Sequence, residues 1–312
     1  MPTAYLLVSH GSADPRHRKA LMRLAQTVRQ QLLDPTWVGR QGQPLPPQEP
    51  EETGARRSEF ALAPGRGNSL LDDSEPNPVP SSSEAERQHP MPLVGTATLE
   101  ASQFSLTEQI VMFSRRAMAL GVTQLVVVPL FLLRGVHVME DLPTEIHQAQ
   151  AQLPSPLDIH QTCHLGGYQG LQAFLASRLA RTHAETRLLV AHGSRRPGSN
   201  RTLERTAAKL QATVAYWAMA PGLEEQVITL IQGGHRHIAV MPYFLFAGGI
   251  TDSITQQTEA LAERFPRVRL RLLPPLGSSA DLARVVSDVA LTVPMVAKPV
   301  VDPVPLRNGI TT

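Results

Sequence analysis

The 312-residue chain has a single cysteine, Cys163, so neither a disulfide framework nor a multi-cysteine zinc or iron–sulfur site can form within one chain. Such sparing cysteine use suits a reducing cytoplasm. Aromatic residues are scarce, with 8 Phe, 4 Tyr and 2 Trp against 27 prolines, and some stretch is therefore expected to carry no core. No window approaches the roughly 18 apolar residues that span a bilayer. The N-terminus, Met1-Pro2-Thr3-Ala4-Tyr5-Leu6, lacks a basic region followed by an apolar leader. The chain is expected to be cytoplasmic, with no membrane partner. With a formal net charge of +2 and no long Lys/Arg block, it also lacks the electrostatic footprint of a nucleic-acid binder. What is present is 42% hydrophobic sequence, sufficient for two globular units.

The prolines have a place. From about Asp34 to His89 the text turns to Pro, Gly, Ser, Glu and Gln without apolar periodicity, which predicts a disordered insertion at about 37–90. A second proline-rich stretch predicts a flexible tail at 291–312. Removing the insertion exposes an internal repeat. Tyr5-Leu6-Leu7-Val8-Ser9-His10-Gly11-Ser12 matches Arg187-Leu188-Leu189-Val190-Ala191-His192-Gly193-Ser194, and Val127-Val128-Pro129-Leu130-Phe131-Leu132 matches Val240-Met241-Pro242-Tyr243-Phe244-Leu245. Leu106-Thr107-Glu108-Gln109-Ile110 likewise matches Leu223-Glu224-Glu225-Gln226-Val227, and Leu165-Gly166 matches Leu276-Gly277. Blocks in one order predict two related units, a first lobe at 1–165 and a second at 166–290. One connection in the first lobe is longer than its counterpart by roughly 65 residues, a length typical of functional or disordered loops.

In each copy short apolar runs alternate with helical spacing, as in Leu6–Ser9, Leu93–Leu99, Leu125–Leu132 and Leu157–Thr162, with Leu106, Ile110, Phe113, Ala117 and Leu120 between them. Continuous apolar strands alternating with helices predict an α/β fold of two similar lobes, each a parallel sheet of about four strands covered by helices on both faces.

Ligands of open parallel sheets bind beyond the carboxyl ends of the strands. His10 follows the first run, Glu100 the second, and His137 the third after Leu133-Arg134-Gly135-Val136, so all three are candidates for one crevice. Their counterparts by alignment are His192, Trp217 and Ile250; only the first copy keeps two imidazoles and a carboxylate. That set suits a divalent ion such as Fe2+ or Co2+, and the same groups accept protons near neutral pH. Taken singly, each has a plainer reading: His-Gly-Ser starts a helix with Ser12 as N-cap, a role open also to Ser194, Glu100 is a solvated strand end, and His137 is a loop residue. His164 ends a strand-like run and is a further crevice candidate. His235 and His237 read as solvated, His17, His89, His147 and His183 fit no pattern, and Cys163 reads as a small buried residue.

At Val8-Ser9-His10-Gly11-Ser12, Leu99-Glu100 and Val128-Pro129-Leu130-Phe131-Leu132-Leu133, leading through Gly135 to His137 and Glu140-Asp141, the sequence resembles the class II chelatases of the sirohydrochlorin cobaltochelatase and ferrochelatase type, in the long two-lobed form. The resemblance covers about 4–36 and 93–290. It implies insertion of a divalent metal substrate into sirohydrochlorin, with no prosthetic group, in siroheme or cobalamin biosynthesis. Metal and catalytic roles fall on His10 and His137, with Glu100 as auxiliary carboxylate. Because that substrate carries eight carboxylates, Arg134 and the amides of Gly11 and Ser12 are expected to bind it. Two lobes in one chain favour a monomer.

Two other readings compete. A phosphoryl-transfer enzyme using His10 as nucleophile needs cations around the phosphate, yet Ser9 precedes His10 and no Lys or Arg lies within five positions upstream. A non-enzymatic carrier clamping a tetrapyrrole or metal between two lobes fits the same asymmetry.

Overall fold

The computed structural model describes residues 3–34, 92–154, 157–196, 198–277 and 279–292. The insertion expected at 37–90 and the tail beyond residue 292 lie outside them. The chain runs β1 (Thr3–Ser9), α1 (Pro15–Leu33), β2 (Leu93–Thr98), α2 (Leu106–Ala119), β3 (Gln124–Pro129), a wide π-helical turn (His137–Asp141), α3 (Leu142–Ala151), β4 (Asp158–Gln161) and α4 (Gln169–Ala180). It repeats as β5 (Thr186–Ala191), α5 (Arg201–Lys209), β6 (Ala212–Tyr216), α6 (Leu223–Gln232), β7 (His237–Pro242), α7 (Gly249–Arg264), β8 (Arg269–Leu272) and α8 (Ala280–Leu291).

The strands form two parallel sheets of identical topology, β2-β1-β3-β4 and β6-β5-β7-β8. In each, the order reverses between the first and third strands of the copy, which opens a crevice at their carboxyl ends. The two-residue period of the strands explains their burial on both faces. Tyr5 and Leu7 of β1 join a core that runs without interruption into the second lobe through Leu189, Ala191 and Met241. Ala4, Leu6 and Val8 point the other way, under α2 and α3. Leu188 and Val190 of β5 do the same under α6 and α7.

The last helix of the chain lies against the first sheet. α8 packs on α1 and β3, and Gln31 of α1 both donates to the Ala280 carbonyl at 3.0 Å and accepts from Ser287 Oγ at 3.1 Å. In the other direction α4 sends Arg178 to the Pro274, Pro275 and Leu276 carbonyls just beyond β8. Lys209 of α5 donates to Gln172 of α4.

Helix starts follow local chemistry. Ser105 and Glu108 form a capping box at α2. At α1 the cap is Asp14, whose carboxylate accepts from Arg16 N at 2.9 Å, and not Ser12. Pro15 explains the shift: it suits the first helical position, where its missing N–H costs nothing. Ser12 instead accepts from Asp14 N, and Ser194 from Arg196 N.

Candidate active site

His10 leaves β1 into a turn that only glycine can make. Gly11 has φ of +96°, and a Cβ there would lie 2.1 Å from the Glu100 carbonyl oxygen. That close approach lets Glu100 N donate to the His10 carbonyl at 2.8 Å, and Leu99 N to the Ser9 carbonyl at 3.1 Å. The ends of β1 and β2 are thereby tied together, and Glu100 Oε2 comes to 3.7 Å from His10 Nδ1. The gap is too long for a hydrogen bond and leaves both groups free to engage something between or beside them.

His137 arrives from β3 by a different device. Pro143 cannot donate to the carbonyl four residues back, and its ring crowds that carbonyl. The backbone widens ahead of it, Leu142 N donating to the His137 carbonyl in an i to i+5 turn. His137 and Asp141 then stand over one another, with Nδ1 to Oδ2 at 2.7 Å. An ionised carboxylate can only accept, so this contact favours the tautomer with the proton on Nδ1, which turns Nε2 outward as expected of a metal-facing imidazole. The His10 and His137 rings meet edge to face with centroids 4.9 Å apart. Among the described residues no three His, Cys, Asp or Glu side chains form a ready cation cage.

These imidazoles line a cavity of about 950 Å3 between the carboxyl ends of the two sheets, within the usual span of small-molecule sites, roughly 300–1,000 Å3. The first lobe contributes Ser9, His10, Gly11, Ser12, His17 and residues 130–133, 135, 137 and 138; the second contributes His192, Arg195 and residues 243–251 among others. The walls are mostly apolar, and Arg195 is the only Lys or Arg lining it among the described residues.

A family model described as CbiX matches residues 78–182 and again 186–292. The chain belongs to the CbiX family. The repeat is thus two CbiX units in tandem, as the paired sheets display. A curated relative, the sirohydrochlorin ferrochelatase of Priestia megaterium, is 26% identical over 155 residues, covering 46% of this chain and 58% of that protein. This chain therefore spans a little over half of that relative's length. Among solved structures, SirB from Bacillus subtilis with Fe3+ aligns over 93% of this chain and 94% of its own, with a TM-score of 0.60 and 18% identity. A CbiX described as the terminal enzyme for siroheme biosynthesis in denitrifying bacteria aligns over 92% of this chain and 97% of its own, with a TM-score of 0.54 and 20% identity. These likenesses establish the two-lobed α/β chelatase fold.

Several placements within this CbiX chain differ from the expectation. Arg134 does not line the cavity; it is exposed, with Nε 3.2 Å from Met139 Sδ. His164 does not line it either: its Nε2 is buried without a hydrogen-bond partner among the described residues. Burial, and then the charge of Arg134, hold its pKa below the ordinary histidine value. Cys163 is exposed, not buried, because the chain leaves β4 with Thr162 pointing in and the next side chain pointing out. The expected equivalence of Glu100 with Trp217 slips by one residue. Glu100 N bonds the His10 carbonyl, whereas Ala218 N bonds the His192 carbonyl, so Ala218 holds the corresponding place. Ile250 does occupy the place of His137, since Leu130 N to the Val8 carbonyl is repeated by Tyr243 N to the Val190 carbonyl.

Four lining or supporting residues have no role assigned from the sequence alone. Asp141 could have been found from its i+4 spacing after His137. His17 stacks edge to face on Phe246 of the second lobe, centroids 5.0 Å apart, and burial followed by the charge of His10 lowers its pKa. Ser9 keeps a buried hydroxyl with no partner among the described residues at the cavity wall. Tyr243, its pKa pushed up by burial, reaches the Leu132 carbonyl across the lobes at 3.5 Å.

Proposed function

We propose that this protein inserts a divalent metal into sirohydrochlorin, exchanging two pyrrole N–H protons for one dication. The observation that carries this reading is the His10–His137 pair at one wall of an apolar cleft large enough for a macrocycle, with Glu100 beside His10 and Asp141 beside His137 but outside the lining. The CbiX family and the named activity of the Priestia relative support it.

The residues divide the work as follows. His10 and His137 present the metal substrate, a loose pair of imidazole donors suiting an ion that must be passed on. Asp141 fixes the ring of His137. Glu100, within reach of His10, neutralises charge and relays protons released by the pyrroles. The amides of Gly11 and Ser12, which line the cavity, receive substrate carboxylates, and Arg195 adds a cation on the facing wall. Fe2+ and Co2+ are both acceptable to this donor set. We assign the first lobe to 1–165, the second to 166–290 and a tail beyond; the attachment of α4 to the second lobe through Arg178 supports that division. Because one chain supplies both walls of the cleft, a cytoplasmic monomer is expected. No helix among the described residues is long and apolar enough to cross a membrane.

Mixing purified protein with sirohydrochlorin and Co2+ or Fe2+ tests the proposal. Many absorbance-shifted products per protein support a chelatase. A change that stops at one equivalent supports the carrier reading, for which the two-lobed clamp would be the basis.

A further inference from the structure

One contact crosses the mouth of the cleft and takes no part in the chemistry above. Arg16, in the first turn of α1, lies between two carboxylates from different lobes. Its Nη1 and Nη2 donate to Asp252 Oδ1 and Oδ2 at 3.0 and 2.6 Å, a bidentate pair between residues 236 apart in sequence. Its Nε and Nη2 also reach Asp14 at 3.1 and 2.6 Å. The position is at the rim: His17 and Thr251, the neighbours of Arg16 and Asp252, both line the cavity. Asp14 Oδ2 is also 3.9 Å from where a side chain would begin at Gly248, the residue capping the helix that carries Asp252. The chain thus joins its lobes by a fork of charge-assisted bonds beside the opening.

The triad has two properties that a purely structural tie would not need. It is open to solvent, with the Arg16 and Asp252 side chains about half exposed, so that water screens the pair and its net contribution to stability is small. It also carries one cation against two carboxylates, a net negative charge at the doorway of a site proposed to receive a polycarboxylate. We propose that Arg16 is a substrate-responsive latch: a carboxylate of the incoming tetrapyrrole takes the place of Asp252 on the guanidinium, freeing the rim of the cleft at α7 as the substrate is captured. This inference rests on the proposed function and names the residue that couples recognition to opening of the cleft. Exchange of one carboxylate for another leaves the guanidinium charge and hydrogen bonds satisfied, so the step needs no proton transfer. Asp14 stays as the hinge-side partner, since it is fixed at the start of the same helix.

Titration of sirohydrochlorin into the full chain without metal, followed by its absorbance, tests this. Asp252→Asn frees the fork and removes a repelling charge, and is expected to tighten binding about threefold to tenfold. Arg16→Gln is expected to weaken it about tenfold, with Arg16→Lys in between because an ammonium lacks the fork. In the double variant the gain from Asp252→Asn should shrink to the part that comes from removing a repelling charge, since no fork remains to be freed. Opposite signs for the two single variants are the signature, because a merely structural tie would weaken binding whichever partner is removed. Thermal midpoints within a few degrees of the parent confirm folded variants; a variant that fails this is replaced by Arg16→Lys or by Asp252→Ser. Should both variants shift affinity the same way, or not at all, while the parent still inserts metal, the latch is overturned and the functional reading stands. If the parent binds sirohydrochlorin with the predicted pattern but inserts nothing, the latch stands and the chelatase reading falls. If the parent does not bind sirohydrochlorin, both fall together.

Discussion

The two lobes fold their first turns alike and equip them differently. Both place a histidine after the first strand of the copy, and both follow it with a glycine in the left-handed region, +96° at Gly11 and +78° at Gly193. Around His10 stand Glu100 and His137; around His192 the same backbone positions hold Ala218 and Ile250, and the His192 ring turns its Nδ1 to the Gly193 carbonyl at 2.9 Å. One scaffold thus carries a wall bearing paired imidazoles and a mostly apolar wall facing each other across one cavity. A flat macrocycle bound between them would have donors on one side and packing on the other, an asymmetry that a symmetric pair of sites could not provide.

The largest expected effect tests that division directly. His10→Ala or His137→Ala should lower metal insertion at least about 100-fold, in line with the loss of a group that moves protons or presents the ion, while His192→Ala should cost less than about fivefold; comparable losses at His10 and His192 would erase the difference between the walls. Next in size is Asp141→Asn. An amide can present its NH2 to Nδ1 and reverse the tautomer of His137, and removing such an outer partner typically costs about 10–100-fold in metal affinity or activity; initial rates at varied Co2+ would report it. Gly11→Ala and Gly193→Ala compare the turns themselves. The first should lose about 1–3 kcal/mol in denaturant unfolding, because a strained φ is joined by collision with a backbone carbonyl. The second should lose somewhat less, because a Cβ there would meet Tyr216 and Met219 side-chain atoms at 2.8–3.0 Å and not a backbone carbonyl oxygen at 2.1 Å. The smallest change is expected for Tyr243→Phe, which removes a long bond between the lobes and should shift stability by at most about 1 kcal/mol.

Much of this was legible before any coordinates. Strand runs such as Leu125–Leu132 and the helical spacing from Leu106 announce themselves because burial on both sheet faces imposes continuous apolar text, and the repeat fixed which histidine belonged to which strand end. Three things were hidden for physical reasons. The one-residue slip between Trp217 and Ala218 leaves hydrophobicity almost unchanged, so only the ladder of backbone hydrogen bonds reveals it. The wide turn at His137 reads as loop, its sole signal being Pro143. Pairings such as Arg16 with Asp252 depend on how two lobes meet, and no local pattern records which exposed charge will face which.

The placement of α8 has a consequence for how the molecule can be taken apart. Since the final helix seals the face of the first sheet beside α1, and Arg178 fastens α4 to the loop beyond β8, a cut in the linker between Ala180 and Thr186 yields halves that each lack part of their own cover. Neither fragment should be stable in isolation, yet the two produced together should find one another and rebuild the cleft. A two-lobed chain bound by such reciprocal clasping cannot shed a half without exposing apolar surface, so the mostly apolar wall belongs to the architecture that keeps the histidine-bearing one intact.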